Sequence, residues 1–166
     1  MIMALIRGLE GMARLGTAGA ALALLLLFLL GLAEILIRLF LSSSSGIAVE
    51  YGGYLLAASL FLGLGGAAVE DRHIRFAPLA DRLPRHAARG LEIAATAIGL
   101  VIALFLALAL IMQAARSLAI DARSYFPSAT PLAIPQAILA LGPLLLVAGL
   151  LARLLRLFFP AGGEGK

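Results

Sequence analysis

Four long apolar segments dominate this sequence and leave few folds open to it. They cover about residues 15–37, 47–69, 91–115 and 132–155. A helix needs about 20 predominantly apolar residues to cross a bilayer, and each segment has that length. Because backbone polar groups in lipid must bond within their own segment, the pattern predicts an all-α membrane protein with four transmembrane helices. The short connections predict an antiparallel bundle, one domain over residues 1–157 with a short tail at 158–166.

Composition agrees with a lipid environment and excludes several classes of function. Apolar residues make up 63% of the chain, against about 45–50% in soluble domains. The chain has no cysteine, so disulfides, thiol catalysis and thiolate metal sites are excluded. Nucleophile–base arrangements, phosphate-binding glycine loops and nucleic-acid motifs are also missing from the sequence. We therefore expect neither an enzyme nor a cofactor, and no nucleic-acid partner.

The first apolar segment has two interpretations. Arg7 and Arg14 precede it, as in a secretory signal peptide, and residues 31–33 resemble a cleavage site. The apolar run nevertheless continues to Phe40, which is too long for an ordinary signal sequence. We interpret it as a transmembrane span, with cleavage as the alternative.

The residues before that span show helical periodicity. Apolar side chains recur at Ile2, Leu5, Ile6, Leu9, Met12 and Ala13. This spacing predicts an amphipathic helix that lies in the membrane surface and leads into the first span. The alternative is a frayed, solvated tail, since the stripe is only three turns long.

The distribution of basic residues predicts the orientation in the membrane. Ten of the 13 Lys and Arg residues lie in the N-terminal segment, the second connection and the C-terminal end, and three lie on the other side. Basic residues are enriched on the cytoplasmic side of membrane proteins. Both termini are therefore expected in the cytoplasm, and the loops at 42–46 and 117–130 are expected to face outward.

The second connection is rich in charge. Pro78 and Pro84 are each placed to open a helix, which predicts a short cytoplasmic interfacial helix and then the start of the third span. The charged residues predict a collar at the level of the lipid headgroups, formed by Arg72, His73, Arg75, Arg82 and Arg85. Metal binding through His73 and His86 is the weaker alternative, because a site needs three or four defined ligands.

Two carboxylates lie near the outer ends of the first two spans. Glu34 precedes Arg38 by four residues, the favourable order for an ion pair within a helix. We favour this structural pair over a proton relay, because Glu34 lies near the end of its span. Glu50 opens the second span, where the helix dipole stabilises a negative charge; the alternative is a contact with another subunit.

The outer surface supplies candidate contacts with a partner protein. Its charges are most simply a solvated surface, but they are also well placed to meet an extracytoplasmic protein. The candidates are Glu50, Tyr51, Arg116, Asp121 and Arg123.

Small residues form a stripe along the second span. They are Gly52, Ser59, Gly63, Gly66 and Ala67. Such stripes allow helix backbones to approach closely in lipid. The pattern is consistent with packing inside the bundle or with a surface for a partner subunit. In the fourth span, Pro143 predicts a packing kink.

Three stretches of the chain resemble the small permease subunit of tripartite ATP-independent periplasmic (TRAP) transporters. They are Glu50–Leu55; Phe61–Gly63 with Arg72–Arg75 and Asp81–Arg85; and Thr130–Pro135 with Gly142–Leu144. The chain differs from the usual family pattern in lacking tryptophan near the start of the second span, and in having Gly53 where arginine is common.

This resemblance implies a role within a larger complex in the bacterial inner membrane. The partners would be a large multi-span permease, which holds the substrate and sodium sites and moves like an elevator, and a periplasmic substrate-binding protein. The small subunit would be a scaffold, surrounded by membrane lipid, that anchors the permease and helps to dock the binding protein. An ion gradient would drive uptake of an organic acid or similar solute.

Other functions remain open at the level of sequence. The chain is also compatible with a self-contained, oligomeric transporter that uses Glu34, or with the small subunit of another tripartite carboxylate transporter. A membrane enzyme would have to rely on His73 and His86, and no third residue completes such a site.

Overall fold

The computed structural model describes residues 2–69 and 84–159, with the backbone alone at Arg85. The described residues form four helices: α1 (Ile2–Leu41), α2 (Ala48–Val69), α3 (Arg85–Ala119) and α4 (Ala133–Phe158). Each is long and apolar enough to cross a membrane. The predicted class, an all-α membrane protein with four spanning helices, is confirmed. The predicted interfacial helix at Pro78 and the tail beyond residue 159 lie outside the described residues.

Helix α1 joins two elements that the sequence analysis separated. The predicted amphipathic helix and the first span form one continuous helix of 40 residues. No proline interrupts the chain between them, and Gly16 lies against α2 at the junction. At 1.5 Å per residue such a helix is about 60 Å long, about twice the thickness of the hydrocarbon core.

Proline marks the start of α3, with a difference of one position from the prediction. Pro84 is the N-cap residue with an extended backbone, and Arg85 is the first helical residue. The carbonyl oxygen of Pro84 accepts hydrogen bonds from the backbone N–H groups of Ala87 and Ala88, at 2.9 and 3.0 Å. Pro84 thus begins the helix by accepting bonds, which needs no N–H of its own.

Glycines allow α2 to pack closely against both α1 and α4. A Cβ atom on Gly65 would lie 2.8 Å from the carbonyl oxygen of Leu145, and one on Gly142 would lie 2.5 Å from that of Phe61. On the other side of α2, a Cβ atom on Gly16 would lie 2.6 Å from the carbonyl oxygen of Leu62. Van der Waals contact drives helix association in lipid, and these contacts require the absence of a side chain.

Pro143 lies within this contact between α2 and α4. It is fully buried and sits inside helix α4, next to Gly142. The position is the one for which the sequence predicts a packing kink, and the structure places it where α4 approaches the backbone of α2.

The four helices differ in how many neighbours they have. Helices α1, α2 and α4 pack against one another, whereas among these four helices α4 is the one extensive neighbour of α3. A small core of Ala68, Ala103 and Leu150 is buried where α3 meets this group. Large apolar side chains on the outer faces of α1 and α3 stay exposed, among them Phe28, Phe105 and Met112. These faces suit contact with lipid or with another membrane protein.

Candidate functional site

Glu34 fastens the connection between α1 and α2. The residue is buried, with a relative exposure of 7%. One oxygen accepts hydrogen bonds from Arg38 Nε at 2.8 Å and from Ser44 Oγ at 2.6 Å. The other accepts from the backbone N–H and the hydroxyl of Ser45, at 3.2 and 2.5 Å. The predicted pair with Arg38 is therefore present, and four donors surround the carboxylate. The carboxylate of Glu34 thus holds the loop between α1 and α2 by accepting these hydrogen bonds.

Glu50 has the same role for a second connection. It is 3% exposed and accepts hydrogen bonds from the hydroxyl groups of Ser128 and Tyr54, the latter at 2.9 Å. Ser128 Oγ lies 2.9 Å from Thr130 Oγ1, which in turn lies 3.0 Å from the hydroxyl of Tyr51. This network joins the first turn of α2 to the connection between α3 and α4.

That connection, residues 120–132, is held together by its own backbone. Arg123 and Pro131 form an antiparallel bridge. Ser124 N–H donates to the carbonyl oxygen of Thr130, and Leu132 N–H donates to that of Ala122, both at 2.9 Å. Inside the bridge, Ala129 N–H donates to the carbonyl oxygen of Phe126 and closes a tight turn, and Tyr125, just before this turn, has a fully exposed side chain. We call residues 120–132 the bridged loop.

The charged residues predicted for the outer surface are largely engaged with each other. Arg123 Nε and Nη2 donate three hydrogen bonds to the carboxylate of Asp121, at 3.2 to 3.3 Å, and both side chains are exposed. Arg116 is exposed in the last turn of α3. The structure thus brings Glu50 and Tyr51 together with the bridged loop, and it pairs Asp121 with Arg123.

The opposite end of the molecule contains two ion pairs. Arg156 in α4 contacts Glu10 in α1 at 2.5 Å, and Arg153 contacts Glu92 in α3 at 2.8 Å. Both pairs line a cavity of about 240 Å³. Arg89 also donates to the carbonyl oxygen of Leu157 at 2.6 Å. These contacts hold the start of α1 and the start of α3 against the end of α4.

The predicted stripe of small residues divides between two surroundings. Gly66, Gly63 and Gly52 face side chains of α1, namely Thr17, Ala20 and Leu27. Ser59 bonds to the backbone of its own helix, and Ala67 is exposed. Of the two alternatives, the three glycines therefore take part in packing inside the bundle.

Sequence reasoning missed the other half of this packing. Gly65 faces α4 and lies next to Gly66, so it falls outside a stripe spaced for one helix face. Its partner is Gly149, where a Cβ atom would lie 2.8 Å from the carbonyl oxygen of Gly65. The seven-residue spacing of Gly142 and Gly149 in the fourth span was the available signal.

The predicted collar is largely outside the described residues. This applies to Arg72, His73, Arg75 and Arg82, while Arg85 opens α3. Within residues 2–69 and 84–159, no group of three His, Asp or Glu side chains is placed to hold a metal ion.

Comparison with known proteins identifies a family that the chain matches over most of its length. Residues 27–159 match the family model described as "Tripartite ATP-independent periplasmic transporters, DctQ component". The match runs from the middle of α1 to the end of α4 and includes the Glu34 and Glu50 networks. No curated protein and no solved structure matches the chain.

Proposed function

Because the chain belongs to the family of DctQ components of tripartite ATP-independent periplasmic transporters, we propose that it anchors a large permease subunit in the membrane. Family membership makes it the small membrane subunit of such a transporter. The finer role proposed here is a scaffold: the permease would bind and move the solute, and this subunit would hold the permease in place. A substrate-binding protein would deliver the solute, and an ion gradient would drive the uptake.

One observation carries this proposal: the charged groups of the bundle lie at its ends. The buried carboxylates Glu10, Glu34 and Glu50 each have a bonded partner near a helix terminus. The central parts of all four helices have no charged residue. A membrane-embedded binding site for an ion or an organic acid needs such groups. The bundle is therefore suited to supporting a transport site in another subunit.

Helix contacts support the same role. Close glycine packing joins α1, α2 and α4, and ion pairs join the helix ends. A scaffold for a moving partner has to resist deformation, and closely packed helices with bonded ends do so. The exposed apolar faces of α1 and α3 provide surface for a permease.

The family and the four spanning helices support a location in the bacterial inner membrane, and the positive-inside distribution supports an orientation with both termini in the cytoplasm. In that orientation Glu34, Glu50 and the bridged loop face the periplasm, where a substrate-binding protein would dock. The opposite end, with Glu10 and Arg156, faces the cytoplasm. The transporter-component family and the chemistry of the bundle both argue for a subunit without enzymatic activity.

The test is purification of the tagged protein from its native membrane in mild detergent. We expect a large multi-span permease to co-purify at near-equal stoichiometry, identified by mass spectrometry. Recovery of the chain alone as a homo-oligomer would contradict the scaffold role and favour a self-contained transporter. The matched control is a tagged, unrelated four-helix protein from the same membrane, which should not retain the permease.

A further inference from the structure

The bridged loop presents two neighbouring aromatic side chains to the surroundings, Tyr125 and Phe126, which we call its tip. Tyr125 has a relative exposure of 105%, so its ring stands clear of the rest of the protein, and its neighbour Phe126 is 43% exposed. Aromatic side chains bury a large area at little conformational cost when they bind a partner. Full exposure of such a ring indicates a binding surface when the segment that carries it has a fixed conformation.

The bridged loop is rigid by its hydrogen bonding. The bridge between Arg123 and Pro131 closes its base. Inside it, Ala129 N–H donates to the carbonyl oxygen of Phe126 at 2.9 Å, and Phe126 N–H donates to Ser124 Oγ at 3.2 Å. Since the loop is already ordered, docking through its tip requires little further loss of entropy.

The polar groups around the tip are already occupied. Glu50 and Tyr51 bond to Ser128 and Thr130, so they hold the loop in place and are not presented outward. Asp121 and Arg123 neutralise each other. Within the part of the chain that the structure describes, the side chains of Tyr125 and Phe126 take no part in the hydrogen bonds that hold the loop.

The charge of the loop favours a protein partner over the lipid surface. Tyrosine is common at membrane–water interfaces, but segments that bind a bilayer surface by themselves add an excess of Lys or Arg to their apolar side chains. Between residues 120 and 132 the charged residues are Asp121 and Arg123, and they form a pair. The return half of the loop is also tied to the first turn of α2 by Ser128 and Thr130, so the loop crosses the end of the bundle. An apolar centre with a neutral polar rim is the usual composition of a protein interface.

We propose that Tyr125 and Phe126 form the anchor by which this subunit binds the periplasmic substrate-binding protein. The inference rests on the proposed function, which supplies the partner, and adds the residues that meet it. The partner surface would offer an apolar recess wide enough for a tyrosine ring, bordered by polar groups that face Asp121 and Arg123. A few aromatic anchors carry the larger part of the binding energy in such interfaces.

The test is the affinity of the purified substrate-binding protein for the assembled membrane complex in nanodiscs. We expect Tyr125→Ser to weaken binding at least about tenfold, as loss of an interface anchor does. Tyr125→Phe should retain affinity within about threefold, because the ring provides the buried area. The matched control is Ile120→Ser, an exposed apolar residue of the same loop outside the tip, which should bind like the unmodified complex.

Two outcomes separate this inference from the proposed function. If the unmodified complex binds the substrate-binding protein and Tyr125→Ser binds equally well, the tip is not the anchor and the scaffold role is unaffected. If the unmodified complex does not bind the protein at all, the docking part of the proposed function fails as well.

A photocrosslinker identifies the neighbour of the tip directly. p-Benzoylphenylalanine replaces Tyr125 with another aromatic side chain and is irradiated in the complex with the substrate-binding protein present. A covalent adduct with that protein supports the proposal. An adduct with lipid or with the large permease overturns it and assigns the tip to the membrane surface or to the subunit interface.

Discussion

At the scale of single residues, two carboxylates perform the same task at neighbouring helix ends. Glu34 and Glu50 are each buried, and each accepts hydrogen bonds from serine hydroxyls of a connecting loop. A buried carboxylate is stable only when donors surround it. The two loops are therefore fixed by charge-assisted bonds, which are stronger than bonds between neutral groups.

For Glu34→Gln we expect transport to persist and stability to fall. The amide replaces one acceptor oxygen with a donor, so part of the four-donor arrangement is lost, at a cost of about 1–3 kcal/mol. Solute uptake by the reconstituted transporter should remain largely unchanged, while the protein aggregates at a lower temperature. Abolished uptake in a normally assembled complex would instead favour a proton-carrying role for Glu34.

For Glu50→Ala we expect the bridged loop to loosen. The substitution leaves the hydroxyls of Ser128 and Tyr54 without their acceptor, at a cost of about 1–3 kcal/mol. Trypsin should then cleave more rapidly after Arg123. Val49→Ala changes an exposed residue of the same turn and should leave the cleavage rate unaltered. Equal rates in both variants would mean that Glu50 does not hold the loop.

The sequence predicted these residues only in part. The pair of Glu34 with Arg38 follows from helical spacing alone. The serine partners do not, because they depend on loop conformations with positive φ at Ser42 and Ala129, which non-glycine residues seldom adopt. Tyr125 was missed for the same reason: its exposure depends on how the loop folds back.

At the scale of helices, a glycine permits close packing only where the position of its missing Cβ atom faces the backbone of a neighbouring helix. Gly65 and Gly53 lie in the same helix, but a Cβ atom on Gly65 would lie 2.8 Å from backbone atoms of Leu145, whereas one on Gly53 would meet nothing within 4 Å. Both residues are glycines of one helix, so the sequence does not distinguish them; the arrangement of the neighbouring helices does.

We expect Gly65→Ala to destabilise the bundle by about 1–3 kcal/mol, because the added methyl group forces α2 and α4 apart. Gly53→Ala is the matched control and should have little effect. The measurement is the fraction of folded, monodisperse protein that remains after heating, followed by size-exclusion chromatography. Equal losses in the two variants would show that α2 and α4 do not approach through Gly65.

At the scale of the whole molecule, the four spans follow from the sequence because lipid imposes their length and their apolar composition. The pairing of the helices does not follow, since the central parts of all four are apolar on every side. The stripe on α2 indicated a close contact without naming its neighbour, and the structure places its three glycines against α1. The contact with α4 depends on residues that only the folded bundle brings together.

The orientation is testable because the chain contains no cysteine. We expect a cysteine at Ser43 to react with a membrane-impermeant maleimide in whole cells from which the outer membrane has been stripped. A cysteine at Gly8, an exposed position with no atom near its Cβ, should react only after the inner membrane is permeabilised. The reverse pattern would invert the proposed topology.

The one-sided attachment of α3 has a consequence for how the protein is made. Helices leave the ribosome in chain order, so α2 emerges when its partner α1 is already present. Helix α3 emerges before α4, the neighbour on which it packs extensively. It must therefore remain in the bilayer on the strength of its own apolar character until α4 arrives. The sequence meets this demand: the most apolar stretch of α3 is as apolar as that of α1, while the corresponding stretch of α2, which is never without a partner, is the least apolar of the four.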